Sequence, residues 1–212
     1  MHKCRRVAGS ARRRLIGIVG RVRNRTSSAG IALTYDDGPD AVLTPTLLDV
    51  LREAGVKATF FVRGDRAEEH PALVRRILAE GHSVGSHSMT HPDFRRTRLS
   101  LVRRDVAASR DALRRITGQE VRLFRPPHGR LTLATATLLR FAGCRTFLWS
   151  VDSYDWKPGA SGEDVVAHVK AAGPRDIVLL HDTNAHTIAA TRTLIEYFRE
   201  CGIPLVALPT AV

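Results

Sequence analysis

The feature that most constrains the fold is an alternation. Short apolar runs take turns with longer segments of helical period, and three of those segments close on a glycine: Gly55, Gly81 and Gly118. The runs at 31–35, 58–62, 82–86, 121–125, 145–151, 177–180 and 204–208 read as strands, rich in Val, Ile, Leu and Phe. Helices are predicted from Thr44-Pro45 to Gly55, then over 71–80, 100–117, 132–142, 163–172 and 187–201. About seven strands separated by helices imply a parallel sheet built from right-handed crossovers. No Gly/Ser/Pro tract divides residues 29–212, so one domain is expected there.

The polar residues share one phase within that pattern. The first strand ends in Tyr35-Asp36-Asp37-Gly38-Pro39, and the third runs into His87-Ser88-Met89-Thr90-His91-Pro92. Later strands lead to Arg125-Pro126-Pro127-His128-Gly129, Asp152-Ser153-Tyr154-Asp155-Trp156 and Leu179-Leu180-His181-Asp182. Acids, imidazoles and a guanidinium therefore gather at the C-terminal strand ends, the edge where parallel α/β folds bind ligands. Residues with only structural duties would be spread over both edges.

His87 and His91 are four apart, and Pro92 keeps His91 out of a helix, so the pair belongs on a turn. A carboxylate from Asp36 or Asp37 completes a His₂Asp set, which leaves room on a cation for water and substrate. Alone, each motif has a plain reading: HxxxH as two surface histidines, and Asp-Asp-Gly-Pro as a turn. Together at one edge they suggest a division of labour, in which one aspartate is neutralised by metal and the other accepts a proton. Arg125 suits the free aspartate as a partner, Asp155 suits His181, and Trp156 suits a wall.

The five motifs TYDDGP, HSMTHP, RPPHG, DSYDW and LLHD, in that order, resemble those of the polysaccharide deacetylases, the NodB-homology group of family 4 carbohydrate esterases. The likeness spans about residues 30–208. It implies a distorted (β/α) barrel of about seven parallel strands, and metal-dependent removal of acetyl groups from N-acetylglucosamine-containing oligo- or polysaccharides such as chitooligosaccharide or peptidoglycan. O-deacetylation of xylan or another glycan, and a non-catalytic carbohydrate-binding relative, are the alternatives. The resemblance assigns Asp36 as base, Asp37, His87 and His91 as metal ligands, Arg125 as the group that positions the base, and Asp155 as partner of the acid His181. Leu179 would line the acetyl-methyl pocket, and Pro127, His128 and Trp156 are expected at the substrate. His128 stands where the family usually has Tyr, but its backbone N–H can still serve an oxyanion. Zn²⁺ is the expected ion, with Co²⁺, Mn²⁺ and Ni²⁺ also suited to such donors.

The charge has its own geography. Residues 1–28 carry nine Lys/Arg and no acid, whereas the whole 212-residue chain has 33 basic and 21 acidic side chains. Setting those nine aside leaves 24 against 21, a surplus of three, which argues against specific nucleic-acid binding by the body. The leader 1–28 is expected to be disordered, with weak attraction to a membrane surface. Its apolar run 15–20 is too short for a secretory h-region, so a cytoplasmic setting is expected; an atypical signal peptide would instead place the chain in the envelope or outside. Cys4, Cys144 and Cys201 form no CxxC pair and read as reduced thiols, and a monomer is expected.

Overall fold

The computed structural model describes residues 11–210. Seven strands form one sheet, entirely parallel: β1 (Ala32–Asp36), β2 (Thr59–Val62), β3 (Ser83–Ser86), β4 (Leu123–Phe124), β5 (Arg145–Thr146), β6 (Val151–Asp152) and β7 (Ile177–His181). Their order across the sheet is β5-β4-β3-β2-β1-β7-β6. Eight helices accompany them: α1 (Ala11–Gly20), α2 (Leu43–Glu53), α3 (Gly64–Glu69), α4 (Pro71–Ala79), α5 (Leu99–Thr117), α6 (Leu133–Phe141), α7 (Gly162–Val169) and α8 (Ala185–Glu200).

The strand order requires the sheet to curl. β5 and β6 lie at opposite edges, yet only residues 147–150 connect them. A flat seven-stranded sheet would hold its edges about 29 Å apart, while that link reaches at most about 18 Å. The sheet therefore bends into a distorted barrel with a seam between β5 and β6. The expected strand at 145–151 is thus two strands on opposite sides of the seam. The expected strand at 204–208 is reduced to a single bridge, Ile31 to Leu205, so seven strands result by a different division. The short helix α3 was not predicted.

Alternation along β1 and β7 sorts the side chains. Leu33, Tyr35, Val178 and Leu180 point out and join the main core beneath the helices, with Leu47, Leu51, Val165, Leu194 and Phe198. Ala32 and Ile177 point in, where they meet Phe61, Leu123, Phe147 and Leu208 at the floor of the barrel. Two residues further on, Thr34 and Leu179 form the next layer, and the register pairs Asp36 with His181 above them. A period of two thus carries one acid and one imidazole to the same rim.

The N-terminal segment departs from the expectation of disorder over residues 11–28; residues 1–10, with Cys4, lie outside the described residues. α1 packs on α6, where the absence of a side chain on Gly20 lets its backbone approach Ala136, and Arg140 donates from Nη1 to the Val19 carbonyl at 3.1 Å. Arg23 then enters the seam: its N–H donates to Thr146 O at 2.9 Å, and Leu148 N–H donates to Arg23 O at 2.7 Å. Thr26 N–H bonds Arg175 O at 3.0 Å, and the Arg25 side chain pairs with Asp176 at 3.0 Å. An open sheet edge presents unpaired backbone groups, and this segment satisfies them while its arginine heads stay in solvent. Charge content alone does not prevent such pairing. Among the described residues Cys144 and Cys201 are free thiols, and no helix is long and apolar enough to cross a membrane.

Candidate active site

A cavity of about 330 Å³ opens at the C-terminal rim of the barrel. Asp36, Asp37, His87, His91, His128, Trp156, Leu179 and His181 all line it, together with Arg130, Trp149 and Asp152. Arg125 and Asp155 are buried behind this lining, each holding one of its members. Pro127 is buried in a short 3₁₀ turn, Pro127–Gly129, next to His128.

Three donors converge on one point. Asp37 Oδ1 is 3.8 Å from His87 Nε2 and 3.5 Å from His91 Nε2. His87 Nδ1 donates to the Arg125 carbonyl at 2.8 Å, and that hydrogen bond fixes the tautomer that turns the Nε2 lone pair toward Asp37. Asp37 Oδ1 is buried and accepts no hydrogen bond. An unpartnered buried carboxylate oxygen facing two imidazole nitrogens is what a divalent cation would satisfy. Protonation states agree with that use. Burial, and then His87, push the His91 imidazole down to about 4, so it is neutral at pH 7. Burial opposes ionisation of Asp37, yet the neighbouring His87 and His91 hold its carboxyl below the usual range.

Asp36 differs from Asp37 in that a buried arginine engages one of its oxygens. Arg125 Nη1 donates to Asp36 Oδ1 at 2.7 Å and to Thr34 Oγ1 at 2.8 Å. The guanidinium is fully buried inside the barrel, 4.2 Å from the centre of the Phe61 ring. Burial lowers the Arg125 pKa, and the neighbouring Asp36 counters part of that effect. Asp36 Oδ2 remains on the metal side, 3.6 Å from His87 Nε2.

Across the cavity, His181 Nδ1 lies 2.7 Å from Asp155 Oδ1. The other oxygen, Asp155 Oδ2, accepts from the His181 backbone N–H at 2.8 Å and from Thr187 Oγ1 at 2.7 Å. Burial works against a charged His181, but the hydrogen bond and charge of Asp155 prevail and raise it to about 9. Thr187 is a residue that the sequence did not reveal, since it lies in the first turn of α8 as an ordinary polar residue. Replacing it with the isosteric Val should leave the fold intact and cost about 1.5–3 kcal/mol of support for the carboxylate. We expect kcat to fall about three- to tenfold with KM little changed, in steady-state assays of acetate release.

Backbone strain collects at the same place. Asp37, His91 and His128 have φ of 75°, 58° and 56°, and Ser88 and Tyr154, beside the motifs, have 70° and 56°. Non-glycine residues rarely adopt this region, and they persist in it where surrounding contacts impose it. One such contact underlies the Asp37 turn: a Cβ on Gly38 would lie 2.0 Å from Asp182 Oδ2, which accepts from Thr44 Oγ1 at 2.6 Å. Burial raises Asp182 to about 7. Gly38→Ala should therefore cost about 1–3 kcal/mol and lower the melting temperature by several degrees in a calorimetric scan. It should also weaken metal retention.

At His128 the two bonds of the 3₁₀ turn run from Gly129 N to Pro126 O and from Arg130 N to Pro127 O. Neither uses the His128 N–H, and the left-handed φ of this residue sets its backbone at the cavity rim.

Comparison with known proteins agrees with this geometry. The family model described as polysaccharide deacetylase matches residues 23–147, which contain Asp36, Asp37, His87, His91 and Arg125. A peptidoglycan-N-acetylglucosamine deacetylase of Bacillus cereus is 34% identical over 192 residues, covering 87% of this chain and 68% of that protein. A chitooligosaccharide deacetylase of Sinorhizobium fredii is 37% identical over 201 residues, covering 88% and 94%. The crystal structure of the Bc1960 peptidoglycan N-acetylglucosamine deacetylase superposes with a TM-score of 0.84 at 31% identity, covering 89% of this chain and 91% of that one. With the five motifs meeting at one cavity and the family model spanning most of the barrel, the chain belongs to the polysaccharide deacetylase family.

Proposed function

We propose that this protein hydrolyses the N-acetyl group of N-acetylglucosamine units in an oligo- or polysaccharide, with a divalent cation held by Asp37, His87 and His91. The observation that carries this reading is the meeting of three separate devices at one 330 Å³ cavity: a donor trio, a carboxylate locked to a buried arginine, and an imidazole locked to a buried carboxylate. A cation in that trio, when bound, supplies Lewis acidity that activates water and polarises an acyl oxygen.

The chain's own residues supply the rest. Asp36, oriented by Arg125, accepts a proton from the attacking water at Oδ2. The His128 N–H is a donor for the developing oxyanion, a contribution worth about 3 kcal/mol in comparable sites. Leu179 offers an apolar surface for the acetyl methyl, and the exposed face of Trp156, oriented by its Nε1–H to Asp152 Oδ1 at 3.1 Å, suits a sugar ring. His181 gives its proton to the departing amine, and Asp155 stabilises the charge of its protonated form.

This acid favours the amide reading over the ester alternative. An amine must be protonated to leave, whereas an alkoxide has less need of a strong acid partner. The relatives named for peptidoglycan and chitooligosaccharide support the same substrate class. Acetate release from N-acetylglucosamine oligomers, peptidoglycan and acetylxylan tests it. We expect release from the first two, loss with chelator, and recovery with zinc. Release from acetylxylan alone, or from none of them in the presence of zinc, overturns the proposal.

A further inference from the structure

The two imidazoles of the donor trio stand on one short turn. His87 follows β3 directly, and Ser88, Met89 and Thr90 separate it from His91. Ser88 and His91 both have left-handed φ, 70° and 58°, a region that residues with a Cβ hold where surrounding contacts impose it. The turn's own bond, from His91 N–H to Ser88 Oγ at 3.0 Å, is a local one.

Two helices that carry no metal ligand supply the imposing contacts. From α3, Gly64 N–H donates to Ser88 O at 2.9 Å and Asp65 N–H to Met89 O at 3.1 Å. From α5 comes a single side chain, Asp105. Its Oδ1 accepts from Met89 N–H at 2.9 Å, and its Oδ2 accepts from Thr90 N–H at 3.0 Å and from Thr90 Oγ1 at 2.9 Å. The helix backbone thus takes carbonyls of the turn, while one carboxylate takes the next two N–H groups and a hydroxyl. Hydrogen bonds to a carboxylate are stronger than those between neutral groups. His87 has its ring fixed by the Arg125 carbonyl, but His91 owes its backbone position to the turn.

We propose that Asp105 is a positioning residue for the metal centre: by holding Met89 and Thr90 it sets His91 against His87 and tightens the grip of the trio on its cation. The inference rests on the metal-dependent deacetylase reading of the cavity.

Zinc binding to the full chain tests it, by competition with a chromophoric chelator well below the melting temperature. Asp105→Ala should raise the zinc Kd at least about tenfold and speed zinc release by a similar factor. Its circular dichroism should stay that of wild type, because Ala is a better helix former than Asp. Visible absorption of the cobalt-substituted protein should also change, since the ligand field responds to where the imidazole sits. Thr90→Val removes one of the bonds to Asp105 and should raise the zinc Kd about threefold. Asp111→Ala removes another acid of α5, one paired with Arg114 at 3.2 Å, and should bind zinc as wild type does. An Asp105→Ala protein that melts lower yet keeps the wild-type zinc Kd and cobalt spectrum overturns the proposal, as does an equal loss of affinity in Asp111→Ala. If Asp105→Ala does not fold, wild-type zinc affinity of Thr90→Val overturns it. Wild type that binds zinc but releases no acetate from N-acetylglucosamine oligomers overturns the deacetylase reading instead, because these comparisons need no turnover.

Discussion

Asp36→Asn is expected to abolish deacetylation, lowering kcat/KM by at least about 1,000-fold while zinc stays bound. A general base contributes about 10²–10⁴-fold, and an amide at this position cannot accept the proton. The substitution has a second, separable consequence. Arg125 is fully buried, and the Asp36 carboxylate is the one it pairs with at 2.7 Å. Removing one partner of a buried pair leaves an uncompensated charge and costs about 3–5 kcal/mol. The variant should therefore melt several degrees lower, and its activity must be read per folded molecule, with circular dichroism as the control. Folded, zinc-loaded Asp36→Asn with wild-type acetate release would remove Asp36 from the role of base.

The second large effect is selective. His181→Ala should lower amide hydrolysis by about 10²–10⁴-fold but hydrolysis of 4-nitrophenyl acetate by less than tenfold, because 4-nitrophenolate leaves without a proton. Equal losses on both substrates would contradict the assignment of His181 as acid. The pH profile carries the same information. The acid must be protonated, and Asp155 raises His181 to about 9 against the effect of burial. Deacetylation should hold up as pH rises through neutrality and then fall as His181 loses its proton. A cation at Asp37 opposes part of this rise, since Asp36 and Asp37 also contribute to it, and so moves the falling limb toward lower pH. Asp155→Asn should move that limb lower still, with the sign set by loss of the dominant stabilising partner.

Much of this site was legible in the sequence because strand phase is a local property. Once 31–35 and 177–180 are read as buried strands, a period of two carries Asp36 and His181 to one rim. The pairing of Asp36 with His181 in the register realises that phase. The metal trio was legible for a related reason: Pro92 confines His91 to a turn, and two left-handed residues, Ser88 and His91, lie within the segment that joins it to His87.

What remained hidden depends on long-range closure. Nothing within Arg145-Thr146-Phe147-Leu148-Trp149-Ser150-Val151 marks a break, because it holds no Gly or Pro. It divides because the curled sheet brings its two ends to opposite edges. The same closure creates the seam that recruits Arg23 and Arg25, which no local pattern of charge predicts. Thr187 was invisible because its role is set by how α8 docks against Asp155.

The central claim is that Asp37, His87 and His91 jointly hold one divalent cation. Zinc content by mass spectrometry after exhaustive dialysis, together with calorimetric titration of the metal-free protein, tests it most directly. The account predicts about one zinc per wild-type chain, with His87→Ala and His91→Ala each binding at least about 100-fold more weakly. A folded wild-type protein that takes up no zinc, or a His87→Ala variant that binds it as tightly as wild type, would contradict it.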